Sequence, residues 1–236
     1  MGGPEILDPY LSKEETTKIP LGCGIDTILD GGVETKTITQ LYGPPASGKT
    51  NLCLQMAVNC VRRGKKVIFI DTEGGHSVER VQQMARSDYL SILENILFYE
   101  PKRFEDQNFI VENLEAILDE RFGLIILDCA VSYYRMGTDE EKASSLSRQL
   151  SRQLAKLLEL ARRYNLAVMV TNQVYTLREN GEVKPIGGNI LKHWSKVILE
   201  LRRKDSVREA VLRRHRTLPE DISARFIITD EGVRDA

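Results

Sequence analysis

Long apolar runs are missing from this chain. Its hydrophobic stretches reach about five residues, where a membrane-spanning helix needs about 20. No basic, then apolar, then small-residue leader opens it, so the expectation is a cytoplasmic protein without a membrane partner. Cysteine is scarce: Cys23, Cys53, Cys60 and Cys129 show no C-x-x-C spacing, and Cys53 and Cys60 lie two helical turns apart, too far to bridge. Buried free thiols in a reducing compartment are expected. A net charge of −1 gives no overall attraction to nucleic acid. Internal repeats and low-complexity tracts are absent too. What is present, 42% hydrophobic and 28% charged residues in a chain of 236, suits one large globular domain.

One stretch stands out: Gly43-Pro44-Pro45-Ala46-Ser47-Gly48-Lys49-Thr50, which fits the phosphate-loop pattern G-x-x-x-x-G-K-[ST]. Thr37 to Tyr42 before it is a β-branched and aromatic run that predicts a strand, and Asn51 to Arg63 after it carries Leu52 and Met56 at helical spacing. Such a loop delivers a polyphosphate to a helix N-terminus, where backbone N–H groups and the helix dipole favour an anion. Gly43 and Gly48 permit torsions and approaches that a Cβ would obstruct. Lys49 would reach the β- and γ-phosphates of ATP, and the Thr50 hydroxyl would ligate Mg²⁺.

Residues 1–18 are acidic and polar and predict an N-terminal extension to a single domain over 19–236. Beyond the loop, Val67 to Asp71, Leu124 to Asp128 and Ala167 to Thr171 read as strands buried on both faces, with Ile96 to Tyr99 a shorter one. Helices are expected at Ile25 to Leu29, at Ser77 to Arg86 with Ser77 as N-cap, at Phe104 to Glu120 and at Asp139 to Tyr164. In the third of these Phe109, Leu114, Ile117 and Leu118 form the apolar stripe. Alternating strands and helices predict an α/β fold with a largely parallel sheet. Val197 to Leu201, Ala210 to Arg214 and Phe226 to Ile228 lack helices between them and predict antiparallel strands at one edge. Val174 to Pro185 reads as a long loop.

Three strand ends then carry chemistry. Asp128, after four apolar residues, has the Walker B arrangement and would hold Mg²⁺ through a water. Glu73, two residues past a strand end, is the candidate to polarise the attacking water. Gln173, just past another strand, would contact the γ-phosphate and relay its presence. Positive charge gathers between Arg178 and Arg216, with eleven Lys or Arg against five acids, densest at Arg202 to Lys204 and Arg213 to Arg216. That density is consistent with a polyanion partner and equally with a charged edge hairpin.

Together Gly43 to Thr50, Ile70 to Gly74, Leu127-Asp128, Thr171 to Val174 and Pro185-Ile186-Gly187-Gly188-Asn189 resemble the RecA/RadA recombinase ATPases over nearly the whole chain. Ser147 to Leu150, the Gly-Gly after Glu73, and Arg214-His215-Arg216 before Pro219-Glu220 are similar to the short archaeal branch of that family. The resemblance implies a RecA-like P-loop ATPase core, a mostly parallel twisted sheet flanked by helices with antiparallel strands at the C-terminal edge. It implies ATP and Mg²⁺ at Gly43 to Thr50 and Asp128, with Arg80 stacking on adenine and Glu73, Lys49 and Gln173 in the catalytic roles. Tyr134 and Arg135 correspond to a first DNA loop and Val174 to Ile186 to a second, which places Arg178 and Lys184 among the DNA contacts, with Lys192 a short way beyond the loop also counted there. The implied partners are DNA, single-stranded above all, the RadA recombinase and a Holliday-junction nuclease. No Phe-x-x-Ala polymerisation motif occurs in residues 1–18, which argues against a RadA-like filament and leaves self-association open. Three functions follow: a weak DNA-modulated ATPase of repair and recombination that assists RadA, a non-enzymatic mediator for which ATP is a conformational switch, or a KaiC-like regulatory ATPase.

Overall fold

In the computed structural model, described for residues 16–74, 78–133, 140–176, 183–185 and 189–236, the chain builds around one ten-stranded sheet. Side chains are described for all of these except 140–143, 175, 176 and 183–185. In chain order the strands and helices are β1 (Lys18–Ile19), α1 (Ile25–Ile28), β2 (Val33–Glu34), β3 (Ile38–Gly43), α2 (Lys49–Arg62), β4 (Lys66–Asp71) and α3 (Val78–Ala85). There follow α4 (Tyr89–Glu94), β5 (Ile96–Tyr99), α5 (Phe104–Asn113), β6 (Phe122–Asp128), α6 (Glu140–Arg163), β7 (Ala167–Thr176) and β8 (Val183–Pro185). Last come α7 (Asn189–Trp194), β9 (Val197–Lys204), β10 (Val207–Arg214), β11 (Ser223–Thr229) and β12 (Gly232–Asp235).

The strand order is β12-β11-β10-β9-β3-β7-β6-β4-β5. The six strands from β9 to β5 run parallel, and β10, β11 and β12 continue one edge antiparallel. Parallel strands need helical crossovers, which cover both faces, so the central strands must be apolar on both sides. Their side chains alternate accordingly: Val67 and Phe69 of β4 enter one core with Leu124 and Ile126 of β6, while Ile68 and Ile70 enter the other with Ile125 and Leu127. The first core is roofed by α1 to α4, the second by α5 to α7. On α2 the buried side chains Leu52, Cys53, Met56, Ala57 and Cys60 form one helical stripe, and on α6 Leu150, Leu154, Leu157 and Ala161 do the same.

Several expectations need correction. The segment from Val174 to Pro185 is a hairpin rather than a loop at its described ends: β7 runs on to Thr176 and pairs antiparallel with β8. Gln173 therefore sits inside a strand, directly opposite Gly43 of β3. The helix expected to reach Glu120 stops at Asn113, where Leu114 to Ala116 tighten into a 3₁₀ turn. Its inward stripe is Phe104, Gln107, Val111 and Leu114, so Phe109 lies about half a turn away and is 68% exposed, and Ile117 is also exposed. The β1–β2 ribbon, α4, α7 and β12 were not expected at all. The N-cap reading of Ser77 falls outside the described residues. All four cysteines are free, three buried and Cys23 half-buried, and burial pushes the Cys60 thiol up to about 12.

A buried histidine clips the β1–β2 ribbon to the end of β10. The His215 side chain is 2% exposed, and its Nδ1 accepts the backbone N–H groups of Thr217 and Leu218, each at 3.2 Å. The ring proton must therefore be on Nε2, 3.5 Å from Glu34 Oε1. Arg216 donates to the other oxygen of Glu34 at 3.0 Å. Burial holds the His215 pKa below 6.5, against the opposing pull of Glu34. The unfolded chain thus binds a proton that the folded chain resists, so stability is lost as pH falls below 6.5. Thermal unfolding between pH 7.5 and 5.5 should show that decline, and it should flatten in His215→Gln. An unaltered slope would remove His215 as its source.

Candidate nucleotide site

Because β3, β4, β6 and β7 are parallel, their carboxyl ends share one edge of the sheet, where ligands bind in open α/β folds. Gly43 ends β3, Asp71 ends β4, Asp128 ends β6, and Gln173 lies at the same level on β7, with Asp71 paired to Asp128 and Gly43 to Gln173. The phosphate loop leaves β3 at Gly43 and enters α2 at Lys49 through Gly48, whose φ is 102°. A Cβ on Gly43 would stand 2.4 Å from the Leu201 carbonyl oxygen, so only glycine fits that departure. Ala46 also takes positive φ, at 58°.

Lys49 folds back over the loop, its Nζ donating to the Gly43 and Pro44 carbonyls, each at 3.0 Å. Burial lowers its pKa, and Asp128 works in the opposite direction. The Ser47 hydroxyl is buried with no hydrogen-bond partner among the described residues. A retracted ammonium, an orphan hydroxyl and a helix N-terminus around a cradle with no room for Cβ atoms fit a polyphosphate.

Asp128 is 5% exposed. Thr50 Oγ1 donates to its Oδ2 at 2.7 Å, and Thr171 Oγ1 donates to its Oδ1. Burial pushes its carboxyl above the usual range, while the two hydroxyls pull it down and Asp71 and Glu73 push it further up. A desolvated carboxylate bonded to a threonine hydroxyl supplies oxygen donors suited to a hard divalent cation such as Mg²⁺ that also takes phosphate oxygens.

Glu73 is exposed beyond the end of β4, aimed by its neighbours. Asp71 Oδ1 accepts the backbone N–H groups of Glu73 (2.9 Å) and Gly74 (3.0 Å), which turns the chain sharply after the strand. Thr72 Oγ1 lies 3.0 and 2.8 Å from the carbonyl oxygens of Asp128 and Cys129 and joins the ends of β4 and β6. Gln173 Nε2 donates to Glu73 Oε1, so the carboxylate and amide picked out separately from the sequence are in contact. Asp71, Thr72 and Thr171 were not singled out beforehand. Their signal was a polar or hydroxyl-bearing residue at the end of each apolar run.

Arg80 is more constrained than a stacking residue needs to be. Its guanidinium donates to Asn51 Oδ1 (2.7 Å), Gln83 Oε1 (2.8 Å) and the carbonyls of Thr229 (2.8 Å) and Asp230 (3.0 Å). It fastens α3 to α2 and to the β11–β12 turn beside the loop.

Of the residues assigned to DNA, Tyr134, Arg135 and Arg178 lie outside the described residues. Lys184 is placed by its backbone on β8, opposite Tyr175, and Lys192 is exposed on α7. The densest basic cluster is largely committed internally. Arg213 pairs with Glu200 and Asp221, Arg202 with Glu200, Arg216 with Glu34, and Arg214 caps the Lys192 carbonyl. No helix among the described residues is long and apolar enough to cross a membrane.

Fold and site together define a RecA-like P-loop protein, and the comparisons agree: the chain belongs to the Rad51 family, whose profile matches residues 12–236. Within that family its relatives are archaeal proteins named "DNA repair and recombination protein RadB". The one from Methanobrevibacter smithii is 42% identical over 228 residues, covering 93% of this chain and 97% of that protein. That of Methanothermobacter thermautotrophicus is 43% identical over 227 residues, covering 93% and 96%. A solved structure titled "Crystal structure of the RadB recombinase" superimposes with a TM-score of 0.81 at 38% identity, covering 92% of this chain and 99% of that one.

Proposed function

We propose that this protein is an ATP-binding DNA repair and recombination factor of an archaeal cytoplasm that binds DNA, hydrolyses ATP weakly and assists the RadA recombinase. Residues 19–236 would act as a single ATPase domain, with 1–18 as an extension. The observation that carries the reading is the convergence of Lys49, Thr50, Glu73, Asp128 and Gln173 on one sheet edge, with Thr50 bonded to Asp128 and Gln173 to Glu73. The relatives named above supply the biological setting.

Bound Mg·ATP supplies the phosphoanhydride bond that water cleaves. The loop N–H groups and Lys49 would hold its phosphates, Lys49 exchanging two carbonyl acceptors for phosphate oxygens. Thr50 and Asp128 would hold Mg²⁺, with Thr171 fixing the Asp128 carboxylate in position. Glu73 would take a proton from the attacking water. On ATP binding, before that proton transfer, Gln173 would exchange its bond to Glu73 for one to the γ-phosphate and free the carboxylate. Since β7 continues from Gln173 into the β8 hairpin, that exchange acts on the segment assigned to DNA. A mediator that uses ATP only as a switch shares every one of these contacts except the work of Glu73.

The DNA assignment is tested by affinity for a labelled oligo-dT across a salt series. Log affinity should fall linearly with log salt, by about 0.7 per phosphate neutralised. A flat response would remove DNA from the reading. Trp194, whose Nε1 donates to Ser151 Oγ at 3.0 Å, anchors α7 beneath α6 beside Lys192 and offers an intrinsic reporter for the titration.

A further inference from the structure

Away from the sheet edge, α5 and α6 enclose a polar groove of about 440 Å³ lined by Asn108, Glu112, Ser145, Arg148, Gln149 and Arg152. Arg148 and Arg152 are exposed one helical turn apart on α6, and among the described residues neither forms an ion pair. Arg148 donates to the Ser144 hydroxyl at 3.3 Å, and Gln149 to the Ser145 hydroxyl at 3.3 Å. Glu112 is the one carboxylate in the lining.

Beneath the groove, where two packed helices would ordinarily place aliphatic side chains, stand Gln107 and Gln153, both 0% exposed. Gln107 Nε2 donates to the Ala130 carbonyl at 3.3 Å and to Gln153 Oε1 at 2.8 Å. Gln153 Nε2 donates to Asn108 Oδ1 at 3.3 Å. This ladder has a fixed polarity. A carbonyl only accepts, so Ala130 turns the NH₂ of Gln107 inward, and each following amide must present its oxygen downward and its NH₂ upward. The last amide, Asn108, is left with its NH₂ for the groove it lines. Gln107 Oε1 has no donor among the described residues, an uncompensated burial that an aliphatic side chain would avoid. The ladder thus spends stability to present an oriented donor beside two exposed guanidinium groups with no ion pair among the described residues.

We propose that this groove is a phosphate site separate from the phosphate loop, taking phosphate groups of a nucleic-acid strand or of a free oligophosphate. Arginine forks and amide donors match phosphate oxygens. Glu112 at the rim limits the charge the groove welcomes. The nucleic-acid arm rests on the DNA reading above; the free-phosphate arm does not.

The test uses the full chain and Arg148→Gln/Arg152→Gln, both saturated with Mg·ADP so that the phosphate loop is filled. For labelled oligo-dT, removing two phosphate contacts should make the log–log salt slope shallower by about 1.4, and Arg148→Lys/Arg152→Lys should restore it. For pyrophosphate, measured by calorimetry, the Gln pair should weaken binding at least tenfold. A change in the first arm assigns the groove to strand phosphates, and a change only in the second assigns it to free oligophosphate. If wild type binds DNA and pyrophosphate and the Gln pair matches it in both arms, the groove proposal is overturned. Wild type that binds no DNA overturns the DNA reading instead, and leaves the groove to stand or fall on pyrophosphate. Both arginines are exposed, so the melting temperature should not move.

Discussion

Lys49→Ala should lose nucleotide binding while the fold survives. The ammonium is the one cation seated within the phosphate loop, and its present partners are two carbonyls that can return to water-like solvation when it is gone. Removing one partner of a buried, charge-assisted contact costs roughly 2–5 kcal/mol, which is about 30-fold to a few thousand-fold in affinity. Titration with a fluorescent ATP analogue in Mg²⁺ reads this directly. The change in stability should be small and could be of either sign, because burial already disfavours the charged form of Lys49. Equal affinity in wild type and variant would mean that the phosphates lie elsewhere.

Glu73→Gln should separate binding from turnover. Glu73 is exposed, and among the described residues its side chain hydrogen-bonds to Gln173 rather than to the phosphate loop, so the isosteric amide should leave nucleotide affinity near wild type. It removes a general base, worth roughly 10²–10⁴ in rate. It also places an amide against an amide, which one flip of Gln173 accommodates. Phosphate release under single-turnover conditions checks the rate, and equilibrium binding checks the affinity. Hydrolysis at the wild-type rate would move the base to another group, and Asp71, buried two residues away, would be the first to examine.

Much of this site was legible from the sequence because its parts are short and locally determined. A phosphate loop is contiguous, and an acid closing a run of apolar residues marks the end of a buried strand. Parallel topology then brings Glu73, Asp128 and Gln173 to one edge without needing any contact to be foreseen. What escaped depends on pairing across distance. Gln107 and Gln153 look like solvent-facing residues of two amphipathic helices, yet each is buried against the other. Phe109 looks like core, yet the phase of α5 is set by Phe104 and Val111, which sit on the other side of the helix. The arginines from Arg202 to Arg216 suit a polyanion surface and a charged edge hairpin equally, and sequence cannot show that Glu200, Asp221 and Glu34 already hold three of the six, Arg202, Arg213 and Arg216. The hairpin of β7 and β8 was hidden by its Thr, Asn, Glu and Gly content, which signals a loop although the strand ends on either side pair.

The sheet edge, as proposed, hydrolyses Mg·ATP with a turnover that answers to DNA. The most direct measurement is phosphate release from Mg·ATP with and without single-stranded DNA, across protein concentration, in wild type and Glu73→Gln. Slow basal turnover that rises with DNA and disappears in Glu73→Gln is the predicted result. A rate indifferent both to DNA and to the loss of the Glu73 carboxylate would contradict it.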